Sequence, residues 1–405
     1  MTHSTPQTIA STPENAAPND ADWTTRLAAI RDEINTVDTE ILTWLNRRAS
    51  LSMEIGRLKQ HTSTVLMPKR EREVLDSLEA RNAGPLPNDH LGAIWREIFS
   101  SSRALQRPQK VAYLGPEGTF SYFAALEYLG HSVEFQPCAD LQHVFRSVQE
   151  HQCELGIVPL ENSLQGTVGQ SFDLFLKYAL HIHSELYFRI SHCLLSTWNN
   201  MAEIDTVYSH PQPLAQCGTW LRAILPTATL IPVESTAAAA HRALRLGSEG
   251  KKVAAIGHAR LANMLPLNIL ARSIEDEPNN WTRFVMVANP TFQKTFGQTV
   301  PIPGARGHIK TSILFTLPDT AGALAAILEI FSIHQVNMRK LESRPLKAQS
   351  SSADCWKYIF FADVECYLGH SAYIPLVEKL QQMCTTFRIL GSYPSDTQGE
   401  CSLKD

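Results

Sequence analysis

The stretch "NNWTRF" (279–284) sets a hydroxyl, Thr282, beside a guanidinium, Arg283, between Trp281 and Phe284. No His, Cys or Lys stands in the stretch, so no strong base accompanies the hydroxyl. What a site built around such a hydroxyl could do depends on the rest of the chain. Other polar groups follow apolar runs in a repeated layout. "GIVPLENSLQGTV" carries Glu161, Asn162 and Ser163; "YSHPQPLAQC" carries Ser209, His210, Gln212 and Gln216; "VESTAAAA" carries Glu234, Ser235 and Thr236. "YLGPEGTFS" places Gly115 and Gly118 ahead of Thr119 and Ser121, a turn that can present backbone N–H groups to an anion at a helix start. Each has an ordinary alternative: a strand-edge Thr, an Asx or Ser cap at 162–163, a helix N-cap at Ser235, and a turn residue at His210, which precedes a Pro.

A second set of charged residues lies nearer the N-terminus. Ile34, Ile41, Arg48 and Ile55 are spaced by seven, so Arg48 falls where an aliphatic residue belongs. A cation there wants an anion, because an unpaired buried charge costs several kcal/mol. A salt bridge to Glu54 or Glu71 would satisfy it. So would an anionic ligand, towards which Arg31, Lys59, Arg70 and Gln106 could converge.

Three segments must position these residues. From Trp23 to Gln60 there is no Pro and one Gly, and Ile30, Ile34, Val37, Ile41, Trp44, Leu51, Ile55 and Leu58 recur at three- and four-residue steps. That pattern predicts one long helix, too long to bury its apolar face alone. Helices over "KREREVLDSLEARN" and "DHLGAIWREIFSSSRALQ" complete an all-α unit expected at 23–107. Short strands such as "VAYL", "GIVPL", "TVYS", "KVAAIG" and "FVMVA" then alternate with helical stretches, predicting an α/β unit with mostly parallel sheets over 108–295. A Pro/Gly-rich linker is expected at 296–310. Beyond it, 311–394 reads β-α-β-β-α-β, the α+β ferredoxin-like order. Tails at 1–22 and 395–405 complete the chain, the first rich in Ser, Thr, Pro, Asn and Ala and expected to be disordered.

These motifs resemble known families. Residues 26–106, with the spacing Arg31, Arg48, Gly56, Lys59, Arg70-Glu71, resemble the all-helical chorismate mutases. The resemblance implies an intertwined dimer with Arg31 reaching the second copy's pocket, Arg48 and Arg70 on substrate carboxylates, and Lys59 and Gln106 on the ether oxygen. Glu71 is implied near the ring hydroxyl and Ser102 in the substrate pocket. Met67 departs from members that carry an acid at that position, which touches affinity more than reaction. "GPEGTFS", "PLENSLQGTV", "SHPQPLAQC", "ESTAAAA" and "TRF", in that order over 110–290, resemble prephenate dehydratase. The implied fold is two α/β lobes around a cleft, as in periplasmic binding proteins. Thr282 is implied as catalytic donor and Arg283 as orienting a carboxylate. Thr119, Ser121, Glu161, Asn162, Ser163, Ser209, Gln216 and Phe284 are implied to complete the substrate site. Over 311–394 the chain resembles the ACT regulatory domain, with Gly322, Ala323, Leu324, Glu342, Ser343, Arg344 and Pro345 implied to bind phenylalanine.

The expectation is therefore a multidomain enzyme that rearranges chorismate to prephenate and converts prephenate to phenylpyruvate under phenylalanine control. A dehydratase with a merely dimerising helical segment, or a non-catalytic amino-acid sensor, are the alternatives. Neither reaction implies a metal or organic cofactor. The net charge of −4 argues against broad nucleic-acid binding, and no helix-turn-helix with a basic face is found. The eight cysteines form no CxxC pair, which suits a reducing cytoplasm. No apolar run reaches membrane-spanning length. A homodimer is expected, and a tetramer is compatible with the sequence.

Overall fold

The computed structural model describes residues 20–58, 66–290, 309–345 and 358–395. Lys59, most of the linker expected at 296–310 and most of both tails lie outside these residues. Helix α1 (Asp20–Leu58) starts three residues earlier than Trp23 and runs for 39 residues, about 58 Å at 1.5 Å per residue. Helix α2 (Pro68–Glu79) opens on a proline, whose missing N–H is no loss in a first turn. Helix α3 (Asn88–Gln106) lies against α1. A Cβ on Gly56 would sit 2.9 Å from the Gln106 Cα, so the helices meet this closely only because residue 56 is glycine. The apolar stripe of α1 is uncovered in the single chain: Ile34, Ile41 and Ile55 are 53%, 50% and 44% exposed.

The central unit contains two sheets. In the first, β1 (Lys110–Leu114), β2 (Glu134–Cys138), β3 (Leu155–Asn162), β5 (His181–Arg189) and β11 (Trp281–Ala288) run in the order β2-β1-β3-β11-β5, with β4 (Gly166–Thr167) hairpinned onto β3. In the second, β6 (Cys193–Ser196), β7 (Thr206–Ser209), β8 (Thr229–Pro232), β9 (Val253–Gly257) and β10 (Asn268–Ala271) run β10-β6-β9-β7-β8. The sheets are mixed and not mostly parallel. The β1/β2/β3 and β7/β8/β9 pairings are parallel, whereas β11 is antiparallel to both β3 and β5. The reason is the double passage between lobes: the chain leaves on β5 and re-enters on β11 without the helical crossover that a parallel neighbour needs. Helices α4 (Phe120–Leu129), α5 (Leu141–Gln149), α6 (Gly169–Lys177), α7 (Pro211–Gln216), α8 (Gly218–Ile224), α9 (Thr236–Ser248) and α10 (Leu261–Met264) complete the lobes.

The C-terminal unit has β12 (Ile309–Thr316), α11 (Ala323–Ile333), β13 (Met338–Pro345), β14 (Tyr358–Val364), α12 (Ile374–Met383) and β15 (Thr386–Pro394), with sheet order β13-β14-β12-β15. Both helices cover one face through Ile313, Phe315, Ile327 and Leu380. The other face packs on the first lobe, where Leu314, Phe361, Leu390 and Tyr393 share a core with Val158, Phe172 and Val285. Gly391 permits the closest approach: any Cβ there would overlap the Ile182 carbonyl oxygen, at 2.1 Å. No helix among the described residues is long and apolar enough to cross a membrane.

Candidate active sites

Between the two lobes lies a cleft of about 540 Å³ lined by Thr119, Ser121, Asn162, His192, Gln216, Ser235, Thr282 and Phe284, among others. Strand alternation places the last two: on β11, Thr282 and Phe284 face the cleft and Arg283 faces away. In register, Thr282 stands opposite Asn162 on β3. The Asn162 Oδ1 accepts the backbone N–H groups of Leu164 (3.1 Å) and Gln165 (3.0 Å), which settles the orientation of its amide. Its Nδ2 then donates to Thr282 Oγ1 (3.0 Å), Asn280 Oδ1 (2.7 Å) and the Trp281 carbonyl (3.1 Å). Because Thr282 Oγ1 is accepting from Asn162, its own hydrogen is left to point elsewhere. The cleft thus gains a hydroxyl whose own hydrogen is available to a ligand.

Two helix N-termini face the same space. Thr119 caps α4, accepting from the Tyr122 N–H (3.3 Å) while donating to the Leu114 carbonyl (2.9 Å). Ser235 caps α9 by accepting from the Ala238 N–H (3.0 Å). Gly118, at φ +88°, makes the turn before α4 that a side-chain-bearing residue rarely adopts. His192 is fully buried, bonded through Nε2 to Gln216 Oε1 at 2.9 Å, and burial holds its imidazole below the ordinary value. His258, ringed by Phe120, Phe123 and Phe188, is pushed down to about 4 by burial. Both rings are neutral near pH 7, and no Lys or Arg is among the described residues lining the cleft. Helix N-termini and neutral donors are the groups there that could meet an anion, beside the carboxylate of Glu234. One such donor is the buried Gln216 Nε2, which has no protein partner.

Four expected cleft residues lie elsewhere. Arg283, 4% exposed, does not orient a carboxylate in the cleft. It donates to Glu185 (2.8 Å) on the neighbouring strand and to Asp363 (2.6 Å) and Tyr393 (3.0 Å) of the C-terminal unit. Lys310 completes this buried group by bonding Glu185 at 2.9 Å. Burial pushes the Asp363 carboxyl up, but Arg283, Ser312 and Lys310 outweigh it and hold it below the usual range. Glu161 also points away, to Lys340 of β13 at 2.8 Å. Ser163 closes the loop edge through the Asn279 carbonyl and the Trp281 N–H. Ser209 is fully buried and donates to the Ile256 carbonyl (2.9 Å). Period-two alternation carries Glu161 and Arg283 to the face opposite Asn162 and Thr282. Asn280, His192 and Lys310 were missed altogether. The apolar run into His192 was the one signal of burial.

The helical unit brings together part of its expected set. Arg48, half-buried, bonds Ser102 and lies 5.6 Å over the Phe99 ring; burial lowers its pKa against the field of Glu71. Gln106 bonds the Ser102 carbonyl at 3.3 Å. Glu71 is already engaged with buried Arg103 at 2.5 Å, a residue the sequence reading passed over. Arg70 is exposed and pairs with Glu73. Arg31 lies 17 residues before Arg48 on the same helix, about 26 Å away, too far to join this cluster within one chain.

In the C-terminal unit Gly322 takes φ +83° at the N-cap of α11, ahead of Ala323 and Leu324, with open space where a Cβ would point. Glu342, Ser343 and Pro345 lie on β13, the edge strand. The Arg344 guanidinium lies against Gly169 and 3.8 Å from Asp173 on α6 of the first lobe. Arg344 and Lys340 are on the same side of β13, four residues apart, which is why both meet the lobe.

Comparison with known proteins identifies each unit. Residues 111–291 match the family model of prephenate dehydratase, 30–107 that of chorismate mutase type II, and 311–369 that of the ACT domain. The chain is 37% identical over 373 residues to the bifunctional chorismate mutase/prephenate dehydratase of Aquifex aeolicus, covering 91% of this chain and 98% of that one. It is 38% identical over 366 residues to the protein of the same name from Neisseria gonorrhoeae, covering 90% and 96%. Among solved structures, prephenate dehydratase from Arthrobacter aurescens in complex with L-Phe superposes with a TM-score of 0.61 at 29% identity, covering 71% of this chain and 91% of that one.

Proposed function

The chain belongs to the bifunctional chorismate mutase/prephenate dehydratases, and on that premise we propose which of its residues carry each reaction. It rearranges chorismate to prephenate, then removes CO2 and water from prephenate to give phenylpyruvate.

In the second reaction the C–CO2 bond breaks, its electron pair enters the ring, and the ring hydroxyl leaves as water. Departure needs a proton at that hydroxyl and no base. Thr282 is the donor, its hydrogen freed for the substrate by the bond it accepts from Asn162 (3.0 Å); this single contact carries the reading. Gln216 and the N-termini of α4 and α9 hold the carboxylates. A cleft with no Lys or Arg among its described lining residues suits decarboxylation, because a salt bridge would stabilise the carboxylate before it leaves and lose that contact on the way.

The mutase reaction transfers no proton; it needs a dianion held compactly and charge stabilised on the ether oxygen. Arg48, Ser102 and Gln106 form one chain's share. Arg31 of a second copy, with Lys59 and Arg70, completes the pocket by family resemblance. The exposed apolar stripe of α1 supports a homodimer, and the open edge of β13 would allow a further pairing to a tetramer. The C-terminal unit binds phenylalanine and lowers activity, a reading supported by the L-Phe complex of the Arthrobacter relative. Three units, divided near 107 and across 296–310, carry these tasks. Six unpaired cysteines among the described residues fit a cytoplasmic enzyme.

Offering chorismate alone, and following its loss together with phenylpyruvate formation with and without phenylalanine, tests the three assignments. Phenylpyruvate that forms, and slows with phenylalanine, supports them. Accumulating prephenate would sink the account of Thr282.

A further inference from the structure

The group nearest the Asn162–Thr282 pair is Asn280, two residues before Thr282 and fully buried. Its backbone is pinned where the chain re-enters the first lobe, the carbonyl accepting from the Ile190 N–H at 2.7 Å. Its side-chain Oδ1 takes the shortest of the three bonds from Asn162 Nδ2, 2.7 Å. The orientation of this amide follows from its partner. Asn162 Oδ1 is committed to two backbone N–H groups, so the end of Asn162 that meets Asn280 is the donor, and Asn280 must present its oxygen.

We propose that Asn280 is a positioning residue for the dehydration step: its carbonyl oxygen occupies one hydrogen of the Asn162 amide and so directs the other towards Thr282. The second hydrogen is then shared between Thr282 Oγ1 and the Trp281 carbonyl. A turned-over Asn162 would reverse the chemistry. Its oxygen would face Thr282, accept the hydroxyl hydrogen and withdraw it from the substrate, while its amide hydrogens met the Leu164 and Gln165 N–H groups. Those two N–H groups bar that state; Asn280, without touching the substrate, adds an acceptor for one amide hydrogen so that the other is directed to Thr282. Its own Nδ2 has no protein partner, so the oxygen is the half of the amide on which the argument rests.

The proposal depends on Thr282 being the donor, and the variants separate the two claims. In the full-length enzyme, Asn280→Leu removes the acceptor at nearly constant volume, and Asn280→Asp keeps an acceptor in either orientation. Prephenate turnover of Asn280→Leu should fall about tenfold or more, with KM changed less than about threefold, as for a misdirected group that does not bind substrate. Asn280→Asp should recover most of that turnover, with a pH–rate profile showing an added titration. Chorismate consumption, carried by the helices, reports that each variant is folded. Asn280→Leu at wild-type turnover, or folded Asn280→Asp as impaired as Asn280→Leu, would overturn the assignment while an inactive Thr282→Val left the donor reading standing. Thr282→Val that still turned over prephenate would bring down the donor reading, and this proposal with it.

Discussion

Replacing Arg283 with Met distinguishes a cation that binds substrate from one that holds two units together. The guanidinium is 4% exposed and makes contacts of 2.8 Å to Glu185 and 2.6 Å to Asp363, whose side chains are fully and nearly fully buried. Arg283→Met leaves those two carboxylates with Lys310 as the remaining cation, bonded to Glu185. Breaking a buried pair from one side costs about 3–5 kcal/mol, and for a unit of this size that lowers the melting transition by roughly 10 °C. Removing the Asp363 charge as well, in Arg283→Met/Asp363→Leu, leaves a balanced Glu185–Lys310 pair. The double variant should therefore be destabilised by less than the two single changes added together. The assay is calorimetric melting of the four proteins, with prephenate kinetics measured well below the transition. KM should stay within about threefold of wild type, since nothing in the cleft has changed. A variant that melts like wild type but needs far more prephenate to saturate would refute the placement of Arg283 at the interface.

Thr282→Val keeps the shape and removes the donor, so prephenate turnover should fall by about 10²-fold or more while mutase activity persists, as separate assays on each substrate would read. Arg48→Ala should cost the mutase about 10²–10³-fold and leave the dehydratase on supplied prephenate intact; unchanged chorismate turnover would reduce the helical unit to a scaffold. Lys340→Met cuts the 2.8 Å bond from β13 to Glu161, the neighbour of Asn162, so phenylalanine should still bind by calorimetry but inhibit less. Acid should weaken the fold from about pH 6.5 downward. His183, 3% exposed, is pushed by burial to about 4 from its usual 6.5, so the unfolded chain takes the proton first. The stability, about 3 kcal/mol, is complete above 6.5 and lost as the pH falls towards 4. Asp363, depressed in the fold, adds a loss at lower pH still. Melting that peaks near pH 5 would contradict this.

The long helix, the α/β alternation and the β-α-β-β-α-β order were legible because each rests on local periodicity. Asn162 and Gln216 were legible as polar residues downstream of apolar strands, and Thr282 as a hydroxyl with no base beside it at the head of an apolar run. Arg283 and Glu161 were not, for one reason: a strand buried on both faces, as β3 and β11 are, offers no polar side to reveal which way a charge points. Beginning from Thr282 and applying the two-residue period would have turned Arg283 away from the cleft. Asn280 was hidden differently, since its role comes from a partner 118 residues away in the sequence. The mixed sheets likewise follow from the second crossing between lobes, a feature of topology that no short window contains.

Strand β11 is a partition one residue thick, with the donor hydroxyl on one side and the anchoring guanidinium on the other. A one-residue slip exchanges the faces of every side chain along a strand. An insertion or deletion between Asn280 and Phe284 would therefore drive a guanidinium into the cationless cleft and a hydroxyl among the buried carboxylates, damaging chemistry and assembly in one event. The adjacency of Thr282 and Arg283 thus acts as a ruler, fixing chain length as well as composition.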